Sequence, residues 1–412
     1  FRRVLFRSSI TGVGFKPDFV WVKVRSTSGS GPIADSTRGT GKAMYSNLND
    51  ADYTFPAGQG ITSFDADGFS VGDDATGNGG YNGNGKTYVA WCFKVNGGTT
   101  SSNTDGTVTS TVQVNTKAGF SIATATWAGN ASIGHGLGST PEFIMLKGVS
   151  AAEDWQIYHS AVGTGKYLSF SKNGGTDGTT TRADSFSTVN STIVTNEWAG
   201  ASVDWIMYSF KSVAGYSSFS SYTGNGSATG PIVNTGFEPA YVMIKRTDSV
   251  DDWIVVDNKR NTVNSRYNYL MPNSSAAENG SASGTINPLV NFLTNGFQIA
   301  ATWGAVNNNG SLYVYMAFAS DPSAAPTLTN SFKSVIYSGV GQSRSIGGVG
   351  FSPSLVWIKM RDAVGQHSWF DTFRGPLNRL DSTTNASQSN VANSLTEFNT
   401  EVITYTETLK GT

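Results

Sequence analysis

One cysteine, Cys92, stands in 412 residues. That scarcity excludes an intrachain disulfide and a thiolate metal cluster. Set in Tyr88–Phe93 (YVAWCF), the residue reads as a small core hydrophobe. Charge is scarce as well. Asp, Glu, Lys and Arg make up 14% of the chain and the net charge is −1, where ~25% charged residues is typical. No basic stripe stands out, so nucleic acid is not an expected partner. No apolar run approaches the ~18–20 residues of a membrane-crossing helix, and membrane insertion is not expected. No apolar stretch with a small-residue cleavage site opens the chain, so no signal peptide is read. The three histidines, His135, His159 and His367, lie in separate regions without spaced partners. They give no support to a zinc site or a Ser-His-Asp triad. No pair of facing carboxylates of the glycosidase kind is visible. The expectation is a non-enzyme without a cofactor.

What the chain has is a repeat. Pro17, Pro141, Pro239 and Pro353 are each followed six residues later by Lys23, Lys147, Lys245 and Lys359, with DFVWV, EFIML, AYVMI and SLVWI between. An Asp-x-x-Arg pair follows three of them: Asp35/Arg38, Asp257/Arg260 and Asp371/Arg374. The second copy has His159 and Val162 there. A frame recurring roughly every 100–120 residues is an internal repeat near the size of a β-sandwich. Each copy gives a turn, a strand, a polar turn and a return strand. The strand in Tyr241–Lys245 is apolar on both faces, which predicts few wet neighbours. Val20, Ile144, Val242 and Val356 occupy one position of it and are predicted to be buried. No apolar pattern at helical spacing runs for ten residues, although a helical turn is conceivable at Pro288–Leu293 and Val391–Phe398. The predicted fold is all-β: tandem antiparallel β-sandwich, jelly-roll-like units in an elongated array.

Four units follow: residues 9–98, 107–212, 213–319 and 330–412. Asn96–Gly106 (NGGTTSSNTDG) and Ser320–Thr329 read as linkers. Copies one to three end on aromatic strands, Tyr88–Phe93, Trp205–Phe210 and Tyr313–Phe318. The first unit is expected to lack its opening strand. In its place stands Phe1–Ser8 (FRRVLFRS), which reads as translated adapter sequence; the alternative is a basic N-terminal arm. The fourth unit is expected to be incomplete, so the chain reads as a fragment at both ends.

The Asp-x-x-Arg pairs admit two readings. Planar side chains near Trp155, Trp253 or Trp369 could hold a sugar. The preferred reading is an ion pair tying the return strand to the next turn, because a binding site is rarely kept at the same spot in three of four units. Asp65-Ala66-Asp67-Gly68 resembles the start of a calcium loop but lacks its glutamate and spacing. The glycine-rich stretch Gly77–Gly85 precedes a strand, so it offers phosphate no helix N-terminus.

The stretch GYSSFSSYTGNGSATGPIVNTGFEPAYVMIKRTDSVDDWIVVD, followed by NFLTNGFQI and LYVYMAFASDP, resembles a repeat domain of uncharacterised tail-fibre and tail-appendage proteins of tailed bacteriophages. The resemblance spans Ser9–Phe398 and is strongest in Gly215–Pro322. It implies a non-enzymatic virion protein, extracellular on the tail and released by lysis, that contributes to host adhesion. Its implied partners are a host cell-surface glycan or protein and other virion tail proteins, with homo-oligomerisation left open. The alternative is a secreted bacterial adhesin or carbohydrate-binding module built of similar sandwiches.

Overall fold

The structure is a computed structural model. It describes residues 7–73, 80–170, 180–279, 288–319, 334–340, 342–347, 349, 352–362, 367–384, 386–392, 394–398 and 403–405. The chain forms two compact bodies, Phe1–Pro322 and Ser323–Thr412. Both are built of antiparallel strands, most of them short, as expected from the strand and turn pattern; Phe120–Gly134 and Ile193–Phe210 of the first body are long.

Unit one is a sandwich. Its larger sheet runs, in spatial order, Tyr53–Thr54, Lys42–Tyr45, Pro32–Asp35, Phe19–Val24, Tyr88–Phe93. Its smaller sheet is Ser8–Thr11, Gly68–Val71, Ile61–Asp65. Unit three repeats this with Ser217–Thr223, Leu312–Ala319, Pro239–Arg246, Ile254–Asp257 opposite Ile232–Asn234, Gly296–Ile299, Val290–Leu293. The Gly-Phe step of both copies has one cause. A Cβ on Gly68 would lie 1.9 Å from the Ile10 carbonyl oxygen, and one on Gly296 1.9 Å from that of Val233. Only glycine lets the neighbouring strand come this close. In unit two, Phe120–Gly134 and Ile193–Phe210 pair along their whole lengths, shifting register between Trp127 and Gly129.

The side-chain alternation of the Pro-to-Lys strand explains its two apolar faces. Val20, Val22 and Ala34 point into unit one's own core with Ile61, Phe69 and Val71. Phe19, Trp21 and Ile33 point the other way, into a core shared with units two and three. There they meet Phe143, Met145 and Ile157 of unit two and Tyr241, Met243 and Val255 of unit three. At its centre the last phenylalanines of the three aromatic strands touch one another. Ring centroids are 5.9 Å apart for Phe93–Phe210, 4.9 Å for Phe93–Phe318 and 6.2 Å for Phe210–Phe318. The all-β sandwich character holds, but the first three units are not strung end to end. They are joined around a common core because each main sheet is apolar on both faces and solvates neither.

The fourth unit has one sheet of Leu355–Lys359, His367–Asp371, Asn378–Asp381, Ser389–Asn390 and another of Arg344–Ile346, Ile403–Tyr405, Leu395–Phe398. Ile346, Val356, Phe370 and Leu395 form its core. Val20, Ile144, Val242 and Val356 are all buried, as predicted.

Three local expectations change. Asn96–Gly106 is not merely a linker: Ser101–Asn103 adds a strand to unit two by pairing with Ser110–Asn115. Both suggested helical turns are strands, Val290–Leu293 and Leu395–Phe398; the helix of the described residues is Gly304–Asn307. Ser8, placed in the foreign octapeptide, pairs with Val71. Residues 1–6, the linker 320–329 and most of 401–412 lie outside the described residues.

Candidate functional site: the junctions between units

The Asp-x-x-Arg pairs have one geometry. In unit one the Arg38 backbone N–H donates to Asp35 Oδ1 at 2.9 Å, and Nε to Oδ2 at 2.6 Å. Nη2 reaches the Ile33 carbonyl at 3.0 Å, and Nη1 reaches Asp52 at 2.6 Å. In unit three Arg260 makes the same contacts to Asp257, the Val255 carbonyl and Glu278. In unit four Arg374 holds Asp371 through its backbone N–H at 2.8 Å and Nε at 2.7 Å. These bonds keep the Asp371 carboxyl below the usual range, the backbone N–H contributing most. The first two pairs are buried and the third is half-buried. A buried arginine with two carboxylates and a carbonyl is neutralised and bonded at each of its three nitrogens. In units one and three both members of the pair are buried and face other groups of the fold, the geometry that the ion-pair reading expects.

The same aspartates join neighbouring units. Tyr208 of unit two donates its hydroxyl to Asp35 Oδ2 of unit one at 2.7 Å. Trp91 of unit one donates its indole N–H to Asp257 Oδ2 of unit three at 3.3 Å. His159 closes the ring. The Ala161 N–H donates to its Nδ1 at 3.1 Å, the bond that Asp35 and Asp257 also accept from the residue two ahead. Its proton therefore sits on Nε2 and is donated to the Tyr315 carbonyl of unit three at 3.2 Å. Burial lowers the His159 pKa to about 4, so the ring is neutral. Unit two has neither the carboxylate nor the arginine but has the same turn and a junction.

Two lysines of the repeat, Lys23 and Lys147, are a second set of ties. Lys23 Nζ donates to the carbonyls of Gly29 and, in unit three, Ser274 at 2.6 and 2.7 Å. Lys147 Nζ reaches Asn49 and Asp50 of unit one at 3.2 and 2.7 Å, and its own Gly148 at 2.9 Å. Lys245 donates to Ser249 at 3.2 Å. Burial pulls each of the three ammonium groups down to about 8. Arg25 adds a two-pronged ion pair with Glu278 of unit three, at 2.8 and 2.9 Å.

The remaining candidates are also accounted for by the fold. Asp67 accepts the Gly12 and Gly14 N–H groups, and Asp65 accepts the Ser70 hydroxyl. His135 bonds the Asn190 carbonyl and the Leu137 N–H, and His367 accepts from the Trp357 indole. Cys92 is pushed up to about 12 by burial. Trp155 and Trp253 donate across junctions to the carbonyls of Tyr45 and Ser169. Among the described residues no cluster of three or more His, Cys, Asp or Glu is placed to hold a metal. Among them, too, no helix is long and apolar enough to cross a membrane. Sequence reasoning marked the lysines only as signposts and missed the donors Trp91 and Tyr208. The signal was available: both hold the fourth position of an aromatic strand that ends every copy of the first body.

Fold and junctions define a multi-sandwich protein whose module is a group of units sharing one core. The chain belongs to the family described as a domain of unknown function, DUF7483, which matches residues 6–322 and again 328–411. The first match runs through all three units of the first body. No curated protein and no solved structure gives a significant match.

Proposed function

We propose that this chain is a non-enzymatic virion protein of a tailed phage, a tail fibre or tail appendage that contributes to host-surface adhesion. The observation that carries this reading is the use to which its ionisable groups are put. Buried Lys23 and Lys147, the aspartates of the first two ion pairs and His159 each bond a neighbouring unit. Such a body suits a load-bearing, protease-facing part better than a catalyst, which needs titratable groups poised in an open cleft. Contact with host glycan or protein then falls to the polar loops at the sandwich ends. Whole-cell binding by the purified chain, with reducing-sugar release measured on the same surface polysaccharide, tests it. Saturable adhesion without sugar release is expected. Depolymerisation of a capsule preparation, or no adhesion to any host of the phage, contradicts it.

A further inference from the structure

The fourth unit repeats unit one closely, yet its outer sheet face is open. Leu355 and Trp357, the counterparts of Phe19 and Trp21, are 56% and 58% exposed, against 1% and 3% for the originals. Trp357 stacks on Trp369, the counterpart of Ile33, at 4.6 Å. Lys359 is exposed where Lys23, Lys147 and Lys245 are buried against carbonyls. Phe373 is 98% exposed; its counterpart Thr37 takes a hydrogen bond from Gln113 of unit two. The inner face of the same strand, Val356, is buried like Val20. Large apolar side chains exposed together where the equivalent face of unit one is covered mark an interaction surface.

We infer that this face docks two further sandwich units of the DUF7483 family, of the kinds that units two and three represent. Three observations fix that occupant. The face in unit one is covered by just such a pair, through the shared core. The polar groups around it are those that the pair satisfies in unit one. Lys23 and Arg25 take the Ser274 carbonyl and the Glu278 carboxylate from unit three, and Lys359 and Arg361 stand at their places. Asp35 takes the Tyr208 hydroxyl from unit two, and Asp371 stands at its place. Finally, the family model that matches across three units matches a second time over residues 328–411. A partner therefore offers an apolar shelf, a carboxylate for Arg361, and an aromatic N–H or O–H for the aspartate.

The test supplies that partner from this chain's own units. A chimera is made in which Phe398, the counterpart of Phe64, is followed by a second copy of residues 65–319. Hydroxyl-radical footprinting then reads oxidation of Trp357. Its rate is expected to fall at least tenfold relative to the unextended chain, and Trp357→Glu is expected to restore exposure at Trp369. A folded extension, with Trp357 as reactive as before, overturns the inference. The unextended chain gives an independent reading by light scattering with footprinting. Monomers with a reactive Trp357 support the proposal. Dimers or trimers in which Trp357 is protected assign the face to a second copy and overturn it.

Discussion

Unit one and unit four carry nearly the same strand, GFKPDFVWVKVR and GFSPSLVWIKMR, in different surroundings. Both bury the valine that points into their own sandwich. Only unit one buries the aromatic row on the other face, because units two and three stand against it. The difference shows that one strand pattern encodes two packing events. The inner row closes the sandwich, and the outer row gathers units around a common core. Burying a large apolar side chain is worth about 1.5–3 kcal/mol, so the outer rows of three units supply a large share of the first body's cohesion.

The largest effect separating the two units is expected at the tryptophans. Trp21→Glu places a charge in the shared core and should cost at least ~3–5 kcal/mol, read as a loss of the first body's unfolding transition in denaturant. Trp357→Glu in the same chain should shift nothing by more than ~0.5 kcal/mol. Equal losses would mean that the two faces are equally covered.

The ion pairs come next. Arg260→Ala strands Asp257 in the interior, while Glu278 keeps Arg25, and should cost ~3–5 kcal/mol. Arg374→Ala, beside a more exposed carboxylate, should cost ~0–1 kcal/mol. Urea midpoints of the two variants decide this, and a reversed order would break the comparison.

Acid should distinguish the bodies as well. His159 titrates at about 4 when folded, against ~6.5 when unfolded. Between those values the unfolded chain binds the extra proton. Stability is therefore full above pH ~6.5 and falls as pH drops toward 4, by about 3 kcal/mol. Asp371 is held below its ordinary value, so its contribution is present above pH ~3.9 and is lost only below that. Calorimetry from pH 7 to 4 should show the first body's transition moving while the second stays nearly fixed.

The smallest difference is expected on the inner row. Val20→Ala and Val356→Ala each remove two methyl groups from a sandwich core and should each cost on the order of 1–3 kcal/mol. Measured losses differing severalfold would sharpen the contrast into one of core quality rather than of outer cover.

Much of this was legible in the sequence. The recurrence of Pro, Lys and Asp-x-x-Arg at fixed offsets placed the equivalent strands, and the ion pairs follow from their i, i+3 spacing. Apolar residues on both faces of Tyr241–Lys245 announced a second apolar neighbour. They could not say which one, because a period-two pattern fixes which residues share a face and not what covers it. Reading the units as an end-to-end array missed the shared core for that reason. Ser101–Asn103 was hidden because a strand paired through its backbone at an exposed edge asks little of its side chains. The donors to Asp35 and Asp257 were hidden by distance: Tyr208 and Trp91 come from other units.

The most direct test of the shared core is hydroxyl-radical footprinting of the chain as it stands, comparing Trp21 with Trp357 by mass spectrometry. The two lie at one position of one repeated strand, so their intrinsic reactivity and local backbone are matched. Trp21 is expected to be strongly protected and Trp357 to oxidise at least several times faster. Similar oxidation of both, in a chain shown to be folded, would contradict the claim that units one to three are joined through the outer faces of their sheets.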